Sequence, residues 1–447
     1  MRNTTQTTVF SRLKAALRPA LGALGVTFTA SLLVLLALYR AGGFVPYTVS
    51  PAGYHYGVNN PLEALFPLLP AAAQVYAGQY FLLLRAALAA CALCWFLRRH
   101  FASECRLLPF LAAAYGVAVY TGCIINVAWV DAAVLLPLLL DAIDHLMRSL
   151  DAARPHPARR MGWLVFLCVL LNCYTALPLC VFGFLYLTWQ TFLRPGRGDW
   201  PHFGKADWPF YRRAAARFGA GLGLGAGGAL LCLAPVFWQY LGQGYFHIVP
   251  SSRTGSVVFQ QIVYCLFYGR YSLQSASEGL PYLYVGMAAF SLALLYFFNG
   301  DATRPKFISA FLLTGLAASY LAELPGISWL SGGDVTVFPF RYGFIFSALL
   351  LIFAADTLVK GPPEGGSVVA SLVFTGIWML GYKQYAGAAF SAGKLAMAAF
   401  LCLASCGFLW LRAHRPDKRR AASAALALLM LADVYASSCI TLYGALR

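Results

Sequence analysis

An aspartate opens an apolar run in INVAWVDAAVLLPLLL, residues 124–139. A carboxylate at such a place sits in water at a membrane surface, favoured by the positive end of a helix dipole, or it faces a water-filled cavity. In a cavity it can take a proton or hold a cation. Asn126 and Trp129, just before Asp131, add polar and stacking surface. Arg341, in FPFRYGF, stands where a cation enters an apolar run. It either snorkels to lipid phosphates or clamps a phosphate with its planar fork. Glu278, in SEGLPYLYVG, precedes a run that reads as a Pro-started helix. It is a solvated loop charge or an acid of the site. Tyr54, His55, Tyr56, Asn59 and Asn60 form a polar, aromatic knot, and Glu63 follows in NNPLEALFP. Such residues stack on sugar rings and bond hydroxyls, but an interfacial aromatic belt has the same composition.

Other constellations have plainer readings. Arg85 and Asp433 fall deep inside apolar runs, where a charge is expensive and usually paired, so a mutual pair is the expectation. Asp141 and His145 share a helix face at i, i+4, with Asp144 beside them, a spacing open to a metal but also to two solvated acids. The run Gly219, Gly221, Gly223, Gly225, Gly227, Gly228 lies within a spanning segment and reads as close helix packing rather than a nucleotide loop. Cys91 and Cys94 stand mid-helix with no histidine or second pair nearby, and read as small buried hydrophobes. No cofactor motif is present; a divalent metal is compatible but not indicated.

The elements that must position these residues are membrane helices. Of 447 residues, 60% are hydrophobic and only 11% charged, against about 25% charged in soluble proteins. Mean hydropathy is +0.68. A spanning helix needs roughly 20 apolar residues. Such runs occur near 19–39, 77–97, 107–123, 127–147, 161–173, 175–193, 217–240, 281–299, 306–322, 340–358, 367–383, 393–411 and 421–444. The expectation is an all-α polytopic bundle of 12 to 13 transmembrane helices forming a single domain, with the N-terminus cytoplasmic and no cleaved signal peptide.

The formal net charge of +17 does not point to nucleic acid. Most of the 33 Lys and Arg cluster in short segments between alternate apolar runs, as the positive-inside rule predicts. The opposite loops, 41–76, 241–280 and 323–339, are longer, and the second contains an aromatic stretch, VVFQQIVYCLFYGRY, that reads as interfacial. Chemistry is therefore expected on the outer face. The two halves show no repeat, which counts against an inverted-repeat transporter.

Four stretches together resemble the YfhO family of bacterial membrane proteins. They are YGVAVYTGCIINVAWVDAAVLLPLLLDAIDHLM, LLNCYTALPLCVFGFLYL, FYGRYSLQSASEGLPYLYVGMAAFSLALLYFF and FPFRYGFIFSALLLIFAA. The resemblance implies a GT-C type glycosyltransferase fold whose outer-face site takes sugar from a polyprenyl-phosphate carrier for an envelope acceptor such as teichoic acid. It casts Asp131, or else Glu63 or Glu278, as the base, Arg341 as phosphate clamp, and Tyr284 with Glu278 on the acceptor side. The lipid bilayer, the donor lipid and the envelope polymer are the implied partners, with a further subunit left open. Two features depart from the family pattern. Residues 19–103 contain no aspartate, although the family carries one in its first outer loop, and the sequence stops at Arg447 where relatives continue into an extracytoplasmic domain. A family member that has lost chemistry, and binds, scaffolds or flips a lipid-linked glycan, is the alternative.

Overall fold

The computed structural model describes residues 3–40, 70–125, 130–153, 158–171, 173–193, 208–242, 264–268, 281–300, 303–319, 342–360, 363–386 and 391–446. Thirteen α-helices occur among them, and each coincides with one of the apolar runs. They are α1 (Asn3–Arg40), α2 (Ala71–His100), α3 (Leu108–Ile125), α4 (Val130–Asp151), α5 (Arg159–Leu171), α6 (Cys173–Phe192) and α7 (Trp208–Gly242). They continue with α8 (Met287–Phe298), α9 (Thr303–Ala318), α10 (Gly343–Lys360), α11 (Gly365–Ala386), α12 (Ala392–His414) and α13 (Arg419–Leu446). Six of the thirteen are long and apolar enough to cross a membrane unaided. No strand occurs among the described residues.

Helices apolar on all sides belong in the interior of a bundle. Accordingly, 78% of the most apolar window of α10 and 67% of that of α2 is buried, while the figure is 28% for both α1 and α7. Helix α4 packs on α2, α5, α6 and α7, and α10 packs on α8, α3 and α4. Helix α13 closes the bundle against α12, α3 and α1. The basic helix ends gather on one face, here called the basic face, and the opposite one is the far face.

Close approach depends on small residues at two crossings. A Cβ on Gly116 of α3 would come within 2.4 Å of Thr27 Cγ2 and 2.8 Å of the Ala86 carbonyl oxygen, so α1, α2 and α3 meet there. The glycine run of α7 divides by helical spacing. Gly221 and Gly225 press on α5, with the Gly162 carbonyl oxygen 2.3 Å from a Cβ built on Gly225, whereas Gly219, Gly223 and Gly227 have nothing within 4 Å. Close packing therefore explains half of the run. The other half faces outward. Cys91 and Cys94 are free thiols, and Cys94 lies 3.6 Å from the Pro19 carbonyl oxygen of α1.

Three boundaries differ from the sequence expectation. Helix α2 begins at Ala71, so residues 71–76 are helix rather than outer loop. Residues 264–268 are buried rather than interfacial: Tyr264 donates to the Gly381 carbonyl at 3.1 Å and Phe267 meets Trp378 edge-on. The run after Glu278 is not helical from Pro281. Residues 281–286 are non-helical and α8 starts only at Met287.

The α5–α7 crossing makes a test with opposite signs. Gly225→Ala is expected to destabilise by about 1–3 kcal/mol through overpacking, although alanine favours helix over glycine by about 1 kcal/mol. Gly223→Ala should be neutral or stabilising. Thermal unfolding of both variants in detergent checks this, and equal shifts would sink the packing assignment.

Candidate functional site

Asp131 is the second residue of α4, and its Oδ1 lies 3.3 Å from Nε of Arg85 on α2. The Asp131 side chain is 15% exposed and that of Arg85 6%. Arg85 stands fifteen residues from His100, about 22 Å from the basic end at 1.5 Å per residue. A hydrocarbon core is about 30 Å thick, so Asp131 lies within it rather than at the outer surface. The pairing explains the displacement. Helix α4 starts low enough for its first-turn acid to reach a guanidinium fixed mid-helix, which also rests 3.9 Å over the Phe81 ring. Tyr115 of α3 sets the register from the other side, donating to the Ala133 carbonyl at 3.1 Å.

Arg85 and Asp433 therefore do not form the mutual pair expected from sequence. Asp433 of α13 is 1% exposed and is held by neutral donors. The Tyr284 hydroxyl donates to Oδ1 and the Ala288 amide donates to Oδ2 at 3.0 Å. Ala288 belongs to the first turn of α8, whose N-terminal amides have no partners within the helix. Asp433 thus caps α8 from a different helix. Gly286 makes this possible: its φ of +97° suits glycine, and a Cβ there would meet Asp433 Oδ2 at 3.0 Å. Tyr284, expected beside an acceptor, is 1% exposed and serves this cap instead.

The rest of the non-helical stretch is equally pinned. Ser347 of α10 reaches the Leu283 carbonyl at 3.5 Å, and Gly343 leaves only 2.8 Å between a built Cβ and the Tyr282 carbonyl oxygen. The Tyr282 ring lies over Gly122, beside Thr121, which donates to Ser438 at 2.7 Å. Non-helical backbone at membrane depth is tolerated where protein buries it. Here α3, α10 and α13 do so.

Among the described residues, an apolar groove of about 350 Å³ separates α6 from α9. Pro178, Val181, Leu185, Phe311 and Leu312 line it, and Ser319 and Tyr342 form its far-face end. The Tyr342 hydroxyl donates to the Ser319 carbonyl at 3.1 Å. Phe311 is 75% exposed, so the groove opens sideways toward lipid. Arg341, Tyr54, His55, Tyr56, Asn59, Asn60, Glu63, Asn126, Trp129 and Glu278 lie outside the described residues. Their segments join far-face helix ends: 41–69 links α1 to α2, 126–129 links α3 to α4, and 320–341 links α9 to α10. Glu278 belongs to the stretch between α7 and α8.

The acids at the basic end of α4 have partners that sequence spacing did not suggest. Asp141 lies between Arg99, at 3.3 Å, and Arg160. Asp144 meets His100 at 2.7 Å and accepts from Tyr186 at 2.9 Å. These contacts join the ends of α2, α4, α5 and α6. Among the described residues no cluster of three or more His, Cys, Asp or Glu could hold a metal. One signal in the sequence did point this way: buried acids on an otherwise apolar helix require cations on its neighbours.

Arg85→Ala is expected to destabilise by about 3 kcal/mol or more, because Asp131 then loses the guanidinium facing it in a low-dielectric site. Combining it with Asp131→Asn should restore much of that loss. A double-mutant cycle on thermal unfolding checks the coupling; additive losses would mean that Asp131 is not held by this pair.

No curated protein and no solved structure matches the chain. The model of a family described as bacterial membrane protein YfhO matches residues 48–445, nearly the full sequence. The matched region takes in α2 through α13, the Arg85–Asp131 pair and the Asp433 cap, and the chain therefore belongs to the YfhO family of bacterial membrane proteins.

Proposed function

We propose that this protein is a GT-C type glycosyltransferase that moves a sugar from a polyprenyl-phosphate donor to an envelope acceptor such as teichoic acid, on the extracytoplasmic face. The observation that carries the reading is the groove between α6 and α9, open to lipid along its side and ending at Ser319 and Tyr342. An isoprenoid tail matches its apolar lining. The donor phosphate would then lie near Tyr342, the chain neighbour of Arg341, whose guanidinium is the proposed clamp. Inverting transfer needs a carboxylate to take the acceptor's proton and a cation to stabilise the departing phosphate. Asp131, Glu63 and Glu278 are the proposed acids, with Asn126, Trp129, Glu278 and the residues of 54–60 on the sugar and acceptor side.

One observation favours a second reading, in which the protein binds, scaffolds or flips a lipid-linked glycan without chemistry. Asp131 faces Arg85 at 3.3 Å, so its carboxylate is already engaged by a cation. Asp131 then organises the site, and any base is Glu63 or Glu278.

Purified protein in nanodiscs, given a panel of radiolabelled polyprenyl-phosphate sugars, separates the two. Wild type is expected to transfer or release one sugar, and Glu63→Gln, Glu278→Gln or Asp131→Asn should lower turnover at least 100-fold with donor binding retained. Arg341→Ala should weaken binding of the donor. Tight donor binding with no turnover from any sugar would establish the binding reading instead.

A further inference from the structure

A second amphiphile-shaped site lies on the basic face, remote from the groove. A cavity of about 950 Å³ opens between the α2–α3 turn, the ends of α10 and α12, and the start of α13. Four arginines from three separate elements line it, Arg106, Arg412, Arg419 and Arg420, against a single acid, Glu104. None of the four pairs with a carboxylate among the described residues. Arg99 and Arg160, at the same face, are by contrast both engaged by Asp141.

The lining changes character with depth. On α13 it descends through Arg419, Arg420, Ser423, Ala424, Ala427 and Leu428, spaced four apart and so on one helix face. From Arg419 to Leu428 is nine residues, about 14 Å along the axis. Phe110, Leu358 and Val359 complete the apolar part of the lining, and Leu428 is 68% exposed. A charged mouth at the membrane surface leading into an apolar slot inside the bilayer fits a molecule with an anionic head and hydrocarbon tails. A soluble anion would leave the slot unfilled. The positive-inside rule assigns this face to the cytoplasm, where anionic lipids and juxtamembrane arginines meet.

We infer that the cavity binds an anionic phospholipid of the cytoplasmic leaflet, its phosphate among Arg106, Arg412, Arg419 and Arg420 and an acyl chain against Phe110, Leu358 and Leu428. The lipid fills the space between α3, α10 and α13 at the face where α12 turns into α13. It braces the bundle independently of any donor bound on the opposite side.

The test uses the full chain, delipidated in detergent and titrated with phosphatidylglycerol or with phosphatidylcholine of the same acyl chains. Thermal stability and bound lipid by native mass spectrometry are the readouts. Phosphatidylglycerol is expected to stabilise and to be retained, and phosphatidylcholine is not. Arg419→Gln with Arg420→Gln, both exposed positions, should weaken apparent affinity about fivefold per arginine. Arg212→Gln with Arg213→Gln, at the same face on α7, should leave it unchanged. Leu428→Gln, which touches only the apolar depth, should weaken phosphatidylglycerol as well. Equal response to both lipids, or no effect of the Arg419 and Arg420 changes, would overturn the site. Saturation by free glycerol phosphate, with Leu428→Gln silent, would replace the lipid by a soluble anion and overturn the inference.

Discussion

Hydrocarbon offers no hydrogen bonds, so a helix that breaks inside a bilayer must have its exposed amides met by protein. That requirement shapes the region around residues 281–286. Helix α8 is only twelve residues long, about 18 Å, and cannot span the core alone. The chain completes the crossing as a non-helical strip whose polar groups are met by α10 and α13. Asp433 is the centre of that arrangement. Its carboxylate meets the positive end of α8, where an anion is favoured, and it also takes the Tyr284 hydroxyl. The positive φ of Gly286 lets the backbone come near enough. A glycine, an aspartate and a tyrosine far apart in sequence thus form one joint.

The same constraint governs the charges. Every described aspartate within the bundle is engaged: Asp131 by Arg85, Asp141 by Arg99 and Arg160, Asp144 by His100 and Tyr186, and Asp356 by Lys360. The pairs divide by depth. Those at the basic face tie helix ends together. Arg85 and Asp131 lie deeper, where an ion pair contributes less to stability than its removal would cost. A pair so placed sets where α4 begins. Asp131 therefore has a structural duty whatever chemistry occurs above it.

Packing among the described helices leaves several surfaces open, and two of them are amphiphile-shaped. The groove between α6 and α9 is apolar along its length and polar at its far-face end, and the cavity beside α13 is basic at its mouth and apolar within. Their polar ends lie at opposite faces of the bundle. An amphiphile entering either one would do so laterally from its own leaflet, with its tail already in hydrocarbon. Such recognition needs no opening through the bundle.

A count of 12 to 13 helices, and the clustering of their basic ends, were legible in the sequence, because hydropathy over some twenty residues and Lys/Arg asymmetry are local signals. Thirteen helices occur among the described residues, and the motif stretches pointed to the family. The glycine run of α7 also read as packing against a neighbour, though the sequence did not show that Gly221, Gly225 and Gly228 do so while Gly219, Gly223 and Gly227 face outward. The tertiary structure decided which charges meet. Arg85 and Asp433 are both buried and opposite in sign, yet pairing depends on which helices are adjacent and on the height at which each one starts. Neither is encoded in a periodicity. The same holds for Tyr284, which the family resemblance cast on the acceptor side. Its role as part of a helix cap appears only when α13 brings Asp433 to Gly286, 147 residues earlier in the chain.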